Sequence, residues 1–479
     1  MLRRTKIVAT LGPATDELEV LTDMIRAGLD VVRINASHGT VADRRRRLAA
    51  ARQAAHRADR CVGVLLDLGG PKIRIECFKE GRIQLIEGQA FTLDTALEPT
   101  AGTVDRVGVA YKELPRDVAA GDTLLLADGQ IVLDVKSVGK TAIETRVRVG
   151  GALSDRKGLN RQGGGISAPA ISERDREDIR FVAEEGVDYM AVSFARDAAD
   201  IEQARSLVRA AGGDARVVAK VERHEAVDNL AGIIAASDVV MVARGDLGVE
   251  MGYAELTGLQ KTIIHDTRNG NRVVITATQM MESMIQNPVP TRAEVSDVAN
   301  AVMDGTDAVM LSAETATGRY PVKAVEAMAQ VIEGAEKYQL THPRARQRTV
   351  EGVFRGSEEA IAMAVMDTAN HMKVGAIVAL TESGATPLWM SRIRSDIPIY
   401  AFTRHEATRR RVTLYRGVYP VIFDVTGAAS VEALYRALFT RLLELRLVEL
   451  NDLVILTKGE LSGVQGGTNS MQILKVVLD

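Results

Sequence analysis

Along the first two thirds of the chain, short apolar, β-branched runs alternate with helix-patterned stretches, and this rhythm restricts the available folds more than any figure of composition. Runs at 6–11, 31–36 and 61–68, separated by helical patterns of which the first closes at Gly28, predict a βαβαβ start with parallel strands. After Asp67 the rhythm breaks. From 73 to 149 short alternating strands are punctuated by Gly81, Gly88, Gly121, Gly129 and Gly139 without a convincing helix, which predicts a separate small β-barrel domain. That stretch closes on Lys157-Gly158-Leu159-Asn160 and on Gly163-Gly164-Gly165, a hinge-like composition. Ser172 followed three residues later by Asp175 has the capping-box spacing that opens a helix, and strands then recur at 187–194, 217–222, 239–243, 273–278 and 308–312. Three strands plus five predict an α/β fold: a (β/α)8 TIM barrel interrupted after its third strand. Near 341–348 the pattern loosens into a charged linker, and beyond Ser357 a new α/β alternation predicts an open sheet with helices on its faces. The expected units are a barrel at 1–68 and 169–345, an inserted β lid at 69–168 and a C-terminal α/β domain at 346–479.

A chain of 479 residues suits about three domains at roughly 150 residues each. Its 60 basic and 63 acidic residues nearly cancel, to a net charge of -3, which argues against nucleic acid or a membrane surface as partner, so any anion site must be local. The Arg44-Arg45-Arg46-Arg47 run lies in an Ala-rich helical stretch and reads as a solvated outer face. Cys61 and Cys77 are too few for a disulfide framework and are expected to be small buried hydrophobes in a reducing compartment, which points to the cytoplasm. The N-terminal segment lacks the apolar core of a signal peptide, and no uncharged run reaches the ~18 residues that a membrane span needs.

The chemistry is expected around Lys220-Val221-Glu222. In an extended run Lys220 and Glu222 share one face while Val221 takes the other. Asp246, in Arg244-Gly245-Asp246, closes the next strand-like run, and strand C-termini are where barrel enzymes place catalytic groups. Two carboxylates and an ammonium without a Cys or His cluster suit a hard divalent cation, Mg²⁺ or Mn²⁺, and a phosphate. A plain Lys–Glu pair closing a strand would explain the triplet alone. In the second strand Arg33, Asn35 and Ser37 also share a face, with His38-Gly39 at the turn. Toward the C-terminus a pair of turns has phosphate-loop character: Thr381-Glu382-Ser383-Gly384-Ala385-Thr386, and Gly463-Val464-Gln465-Gly466-Gly467-Thr468-Asn469. Trp389, the only tryptophan, follows the first of them.

Longer motifs give a resemblance. Ala277-Thr278-Gln279-Met280-Met281-Glu282-Ser283-Met284, Pro290-Thr291-Arg292-Ala293-Glu294 and Leu311-Ser312-Ala313-Glu314-Thr315 resemble the pyruvate kinase family. So do Arg33-Ile34-Asn35-Ala36-Ser37-His38-Gly39 and Ala243-Arg244-Gly245-Asp246-Leu247-Gly248, and the domain order agrees. The resemblance implies phosphoryl transfer from phosphoenolpyruvate to ADP, giving pyruvate and ATP. By the same resemblance Lys220, Arg33 and Thr278 are the catalytic positions, and Arg33, Lys220, Gly245, Asp246 and Thr278 contact the substrate. Glu222 and Asp246 hold Mg²⁺ or Mn²⁺, while Asn35, Ser37, His38, Arg74 and Lys157 face the nucleotide. The proton donor to the enolate stays open between Thr278 and a water relay through Ser312 and Glu314. The resemblance also implies a homotetramer and a phosphorylated metabolite effector at Thr381, Ser383, Gly384 and Thr386.

Two positions depart from the family pattern. Lys72 stands where potassium-dependent members carry Glu, and Leu68 where those members carry Thr. The monovalent-ion site implied at Asn35, Ser37, Asp67 and Lys72 is therefore expected to have lost its ion, and K⁺ is expected not to be required. A metal-dependent aldolase or lyase would share the barrel and its acids but has no use for a lid that brings Lys157 to a nucleotide. A non-catalytic sensor on the same fold would be expected to have lost Lys220, Glu222 or Asp246.

Overall fold

The computed structural model describes residues 2–342, 354, 356–426, 429–459 and 467–478. Eight parallel strands close into a barrel in the order Lys6–Thr10, Ala308–Leu311, Val273–Ala277, Val239–Ala243, Arg216–Val221, Tyr189–Val192, Gly63–Asp67 and Val31–Asn35. The period of two sorts each strand. Val217, Ala219 and Val221 join the outer core under the helices, whereas Val218 joins the inner one, on the face that also bears Lys220. Register does the rest: Arg33 pairs with Leu65 and Asn35 with Asp67, so the polar ends of the second and third strands finish side by side at one mouth of the barrel.

The opposite mouth is filled. The inner barrel residues Val8, Val31, Tyr189, Val218 and Met241 form one continuous core with Val365, Met390, Val412, Leu414 and Tyr415 of the C-terminal region. That region is a five-stranded open sheet in the order Val418–Ile422, Ile399–Thr403, Ala376–Leu380, Leu453–Gly459 and Thr468–Lys475, parallel except for the last strand. Arg392 Nη1 donates to Asp307 Oδ2 at 2.8 Å across the seam, and both side chains are 1% exposed. Removing one partner of such a buried pair typically costs ~3–5 kcal/mol.

The insertion after the third barrel strand has its own apolar core and is built almost wholly of strands, as expected. Its strands make a six-stranded sheet, with the three-residue strands Leu159–Arg161 and Arg106–Gly108 at its edges, and a two-stranded sheet, rather than one closed ring. One helical turn, Leu114–Asp117, interrupts it where none was expected. The glycine run behaves as its composition suggests, with Gly163, Gly164 and Gly165 at φ +81°, +76° and +88°.

Several local expectations need correction. Arg44 is not on a solvated face: it is 2% exposed, bonds to the Ala36 carbonyl at 2.8 Å and pairs with Asp178 at 2.9 Å, because its helix packs that side against the neighbouring Glu173–Glu184 helix. Cys61 and Cys77 are half-buried free thiols rather than fully buried ones. Thr278 does not continue the strand of Thr276: the strand ends at Ala277, and Thr276 turns its hydroxyl to Thr306 at 3.0 Å inside the protein. Thr341 is the last residue of the helix Pro321–Thr341, while 343–348 of the expected linker and 463–466 of the second turn lie outside the described residues. The Ser172 capping box is present, with Ser172 Oγ accepting from the Asp175 amide.

Candidate active site

The open mouth of the barrel gathers one charged cluster. Lys220 Nζ lies 2.8 Å from Glu222 Oε1 and 3.4 Å from Asp67 Oδ1, and donates to Ser193 Oγ at 2.7 Å. Arg33 closes on the other oxygen of Asp67, with Nε at 2.8 Å and Nη2 at 2.7 Å, and its Nη1 donates to Thr10 Oγ1 at 2.9 Å. Asp67 thus bridges the two cations. Burial alone would push the Asp67 carboxyl up, but Lys220 and Arg33 outweigh it and hold it below the usual carboxylate range. Burial likewise works against the Lys220 ammonium, and Asp67 with Glu222 overcomes it and raises the lysine. Glu222 shifts the opposite way for a carboxylate. Burial pushes it up, Lys220 opposes, and the nearby charge of Asp246 adds to the rise. The Lys220 ammonium is shared with Asp67, so it does not cancel both carboxylates.

That repulsion bears on the divalent cation. Glu222 and Asp246 present carboxylate oxygens from just beyond two adjacent strands, Asp246 disfavours the charge on Glu222, which a cation between them would relieve, and the donors are of the hard type that Mg²⁺ and Mn²⁺ take. Among the described residues no three His, Cys, Asp or Glu side chains converge, so two protein oxygens would leave positions for substrate and water. Glu222 is steadied by the Phe194 amide, which donates to its Oε2 at 2.8 Å.

Asp246 lies in the first turn of the helix Arg244–Met251, which starts where the strand Val239–Ala243 ends. Gly245 N donates to Thr278 Oγ1 at 2.8 Å, and that hydroxyl in turn donates to the Ala277 carbonyl at 2.6 Å. Thr278 therefore sits over the helix start with φ +69°, followed by Gln279 at +53°, while Phe194 across the mouth has +58°. Non-glycine residues in that region carry strain and concentrate at functional sites. Arg244 anchors the arrangement, with Nη2 on the Thr278 carbonyl at 2.7 Å and Nη1 on Asp297 at 2.8 Å. Glu314 accepts from Met281 N at 3.1 Å and Ser312 N at 2.7 Å, a backbone clamp over the last two barrel loops. Burial raises its pKa, and those amides resist the rise.

The nucleotide candidates form a looser rim. Asn35 Oδ1 accepts from Ser37 N at 3.0 Å, shaping the turn that exposes His38. Partial burial first, then the charges of Arg74, Arg174 and Arg33, pull the His38 pKa below that of ordinary imidazole, so those cations converge on the rim. Arg74 holds the Arg156 carbonyl at 3.0 Å, and its strand bridges Gly158 beside the exposed Lys157. Lys72 differs from expectation: its ammonium lies 2.9 Å from Asp246 Oδ1 and 3.8 Å from Asp128, not against Asp67, whose oxygens are held by Arg33, Lys220 and Ser193. At the lid root Gly70, at φ +62°, packs so closely on Ser193 that a Cβ there would come within 2.7 Å. Leu68 is buried and receives Ser193 Oγ at its carbonyl, 2.9 Å away.

Far from this mouth, Thr381 Oγ1 accepts from Gly384 N at 2.9 Å and Ser383 Oγ from Ala385 N at 3.4 Å. Gly384 has φ +84°, and Thr386 is buried with its hydroxyl 2.7 Å from that of Thr468. The segment is thus a real strand-to-helix turn whose hydroxyls largely serve itself. Sequence reading missed Ser193 and Thr10, and quoted Arg244 within the Arg244-Gly245-Asp246 motif without giving it a role. Ser193 could have been noticed as a lone hydroxyl closing an apolar strand run; Thr10 carries no such signal.

A parallel (β/α)8 barrel with paired acids, a lysine and an arginine at its strand C-termini, a β-domain insertion after the third strand and a terminal open sheet defines the class: a barrel enzyme built for phosphoryl transfer. Residues 2–325 match the family model described as pyruvate kinase, barrel domain, and 359–474 that described as pyruvate kinase, alpha/beta domain. The chain belongs to the pyruvate kinase family. It is 53% identical to pyruvate kinase II of Salmonella typhimurium over 99% of both chains, and 51% identical to a pyruvate kinase of Haemophilus influenzae over 96% of both. A crystal structure of a pyruvate kinase from Cryptosporidium parvum superposes with a TM-score of 0.91 at 32% identity, covering 99% of this chain and 96% of that one.

Proposed function

We propose that this protein transfers the phosphoryl group of phosphoenolpyruvate to ADP, forming pyruvate and ATP. The observation that supports this most is the Arg33–Asp67–Lys220–Glu222 chain of contacts, which holds two cations pointing into one mouth beside a carboxylate pair. In the reaction the enol oxygen–phosphorus bond breaks as a β-phosphate oxygen of ADP bonds to phosphorus, and the enolate left behind takes a proton on its terminal carbon. Lys220 and Arg33, pre-oriented by Asp67, stabilise the charge spread over the transferring group and the enolate oxygen. Mg²⁺ or Mn²⁺ held by Glu222 and Asp246 would add charge neutralisation at the phosphates. Asp246 would exchange the Lys72 ammonium for that cation. The Gly245 amide and Thr278 hydroxyl position the substrate carboxylate. The proton reaches the enolate from the side of Thr278, with Ser312 and Glu314 nearby through the loop clamp.

Asn35, Ser37, His38, Arg74 and Lys157 hold the nucleotide as the lid closes and excludes water. Potassium is not required, because the Asp67 charge that would attract it is already taken by Arg33 and Lys220. The three units are 1–68 with 169–345, 69–168 and 346–479. The protein works in the cytoplasm as a homotetramer, regulated by a phosphorylated metabolite acting through the turn at Thr381, Ser383, Gly384 and Thr386. No helix among the described residues is long and apolar enough to cross a membrane. The test is pyruvate formation from phosphoenolpyruvate with ADP present and omitted. Strict dependence on ADP and on a divalent cation is the expected result, and ADP-independent cleavage would favour a lyase instead.

A further inference from the structure

The lid returns to the barrel through Gly163, Gly164 and Gly165, all in the left-handed region, so this stretch has no side chain of its own to fix its course. Two ion pairs fix it instead. On the lid side Arg161, held by both oxygens of Asp122 at 2.9 and 3.0 Å, donates from Nη1 to the Gly164 carbonyl at 3.0 Å. On the barrel side Glu225 Oε1 accepts from Gly165 N at 2.6 Å and from Arg223 Nη2 at 3.0 Å. The same Arg223 nitrogen donates to the Ile166 carbonyl at 2.7 Å, and Arg223 is buried, so water competes little for that bond. The approach is close: a Cβ on Gly164 would stand 2.9–3.0 Å from the Glu225 carboxyl group.

Both ends of this contact matter for the site. Arg223 and Glu225 follow Glu222 directly, where the strand Arg216–Val221 gives way to the helix His224–Asp228. On the lid side, the Lys157 carbonyl accepts from Ile75 N at 3.0 Å and Arg74 bridges Gly158, so the two cations assigned to the nucleotide belong to one piece of backbone. That piece runs into the glycines through Leu159–Arg161.

We infer that Glu225 is a positioning residue for the nucleotide half of the reaction: with Arg223 it clamps the glycine root of the lid and so sets where Lys157 and Arg74 stand over the barrel mouth. This rests on the reading of Lys157 and Arg74 as nucleotide contacts given above. Without the clamp the root samples more orientations. Only the fraction that holds both cations at the rim binds ADP well, and the apparent affinity falls by that fraction. The proposed phosphoenolpyruvate contacts, Arg33, Lys220, Gly245 and Thr278, all lie on the barrel and do not depend on the root.

The experiment measures steady-state kinetics of the full chain with each substrate varied in turn, and hydrogen exchange of the ligand-free protein, for wild type, Glu225→Ala, Glu225→Gln and Lys157→Ala. Glu225→Ala is expected to raise the KM for ADP about fivefold or more while the KM for phosphoenolpyruvate stays within about twofold. Its amides at 163–167 exchange faster while the barrel strand Val239–Ala243 keeps its protection, which separates a loosened root from a loss of fold. Glu225→Gln, which keeps an acceptor for the Gly165 amide, stays within about twofold of wild type in both KM values. An unchanged KM for ADP in Glu225→Ala, or an equal rise for both substrates, would overturn the clamp if Lys157→Ala raises the KM for ADP. Faster exchange in Val239–Ala243 as well, or Glu225→Gln as impaired as Glu225→Ala, would also overturn it. An unchanged KM for ADP in Lys157→Ala would instead overturn the nucleotide reading on which the clamp depends.

Discussion

Among single residues, Asp67 and Lys72 divide labour that sequence position alone assigned to one place. Lys72 was expected beside Asn35, Ser37 and Asp67, but its ammonium lies on Asp246. Asp67 instead bridges Arg33 and Lys220, so its charge is compensated from inside the protein. A potassium ion brought near that group would meet two fixed cations, and at ~4 Å each repulsion is about 4 kcal/mol at an effective dielectric near 20, against one carboxylate in its favour. Turnover is therefore predicted to differ by less than tenfold between potassium chloride and a bulky quaternary ammonium chloride at equal ionic strength. Activation of the wild-type enzyme by potassium of more than about tenfold would show that Asp67 still holds the ion.

Between elements, the seam that joins lid and barrel contains a group that titrates. Glu250 follows Asp246 by one helical turn, accepts from His224 N at 3.1 Å and Asn160 Nδ2 at 3.5 Å, and is 5% exposed. Burial, only partly offset by Arg223, lifts its pKa from 4.5 to about 7. A carboxyl raised in the folded state binds more protons there than in the unfolded chain, so its contribution falls as pH rises from about 4.5 to 7 and stays low above that. Glu250→Gln keeps the shape and removes the titration. Its melting temperature relative to wild type is predicted to climb between pH 5 and pH 8, and a difference that stays constant over that range would refute the assignment. The eight barrel strands, the insertion point and the terminal sheet were legible in the sequence because period-two and helical patterns are local. The placement of Lys220, Glu222, Arg33 and Asp246 along strand ends or in the turns just beyond them was legible for the same reason. What escaped depends on packing at a distance: the burial of Arg44 against Asp178, the left-handed turn at Thr278, and the pairing of Lys72 with Asp246.

Across the whole molecule, the barrel works with one mouth open to substrate and the other sealed by the C-terminal sheet, whose core is continuous with its own. The proposed regulation from the sheet therefore runs through packed strands rather than through a linker. Coupling of this kind is typically ~1–3 kcal/mol and reciprocal. Phosphoenolpyruvate is predicted to tighten binding of the phosphorylated effector by the same factor by which the effector lowers the dissociation constant of phosphoenolpyruvate. Ser383→Glu, which sets a negative charge in the turn proposed for the effector, is predicted to abolish activation and spare basal turnover; unaltered activation would move the effector elsewhere. In the proposed mechanism catalysis depends on the Lys220 ammonium, which Asp67 and Glu222 hold and which would stabilise the transferring phosphoryl group. The decisive measurement is steady-state pyruvate formation by Lys220→Met, set beside its affinity for phosphoenolpyruvate. Turnover is predicted to fall by about three orders of magnitude or more with substrate binding retained, and a variant that kept a tenth of wild-type turnover would contradict that role for Lys220.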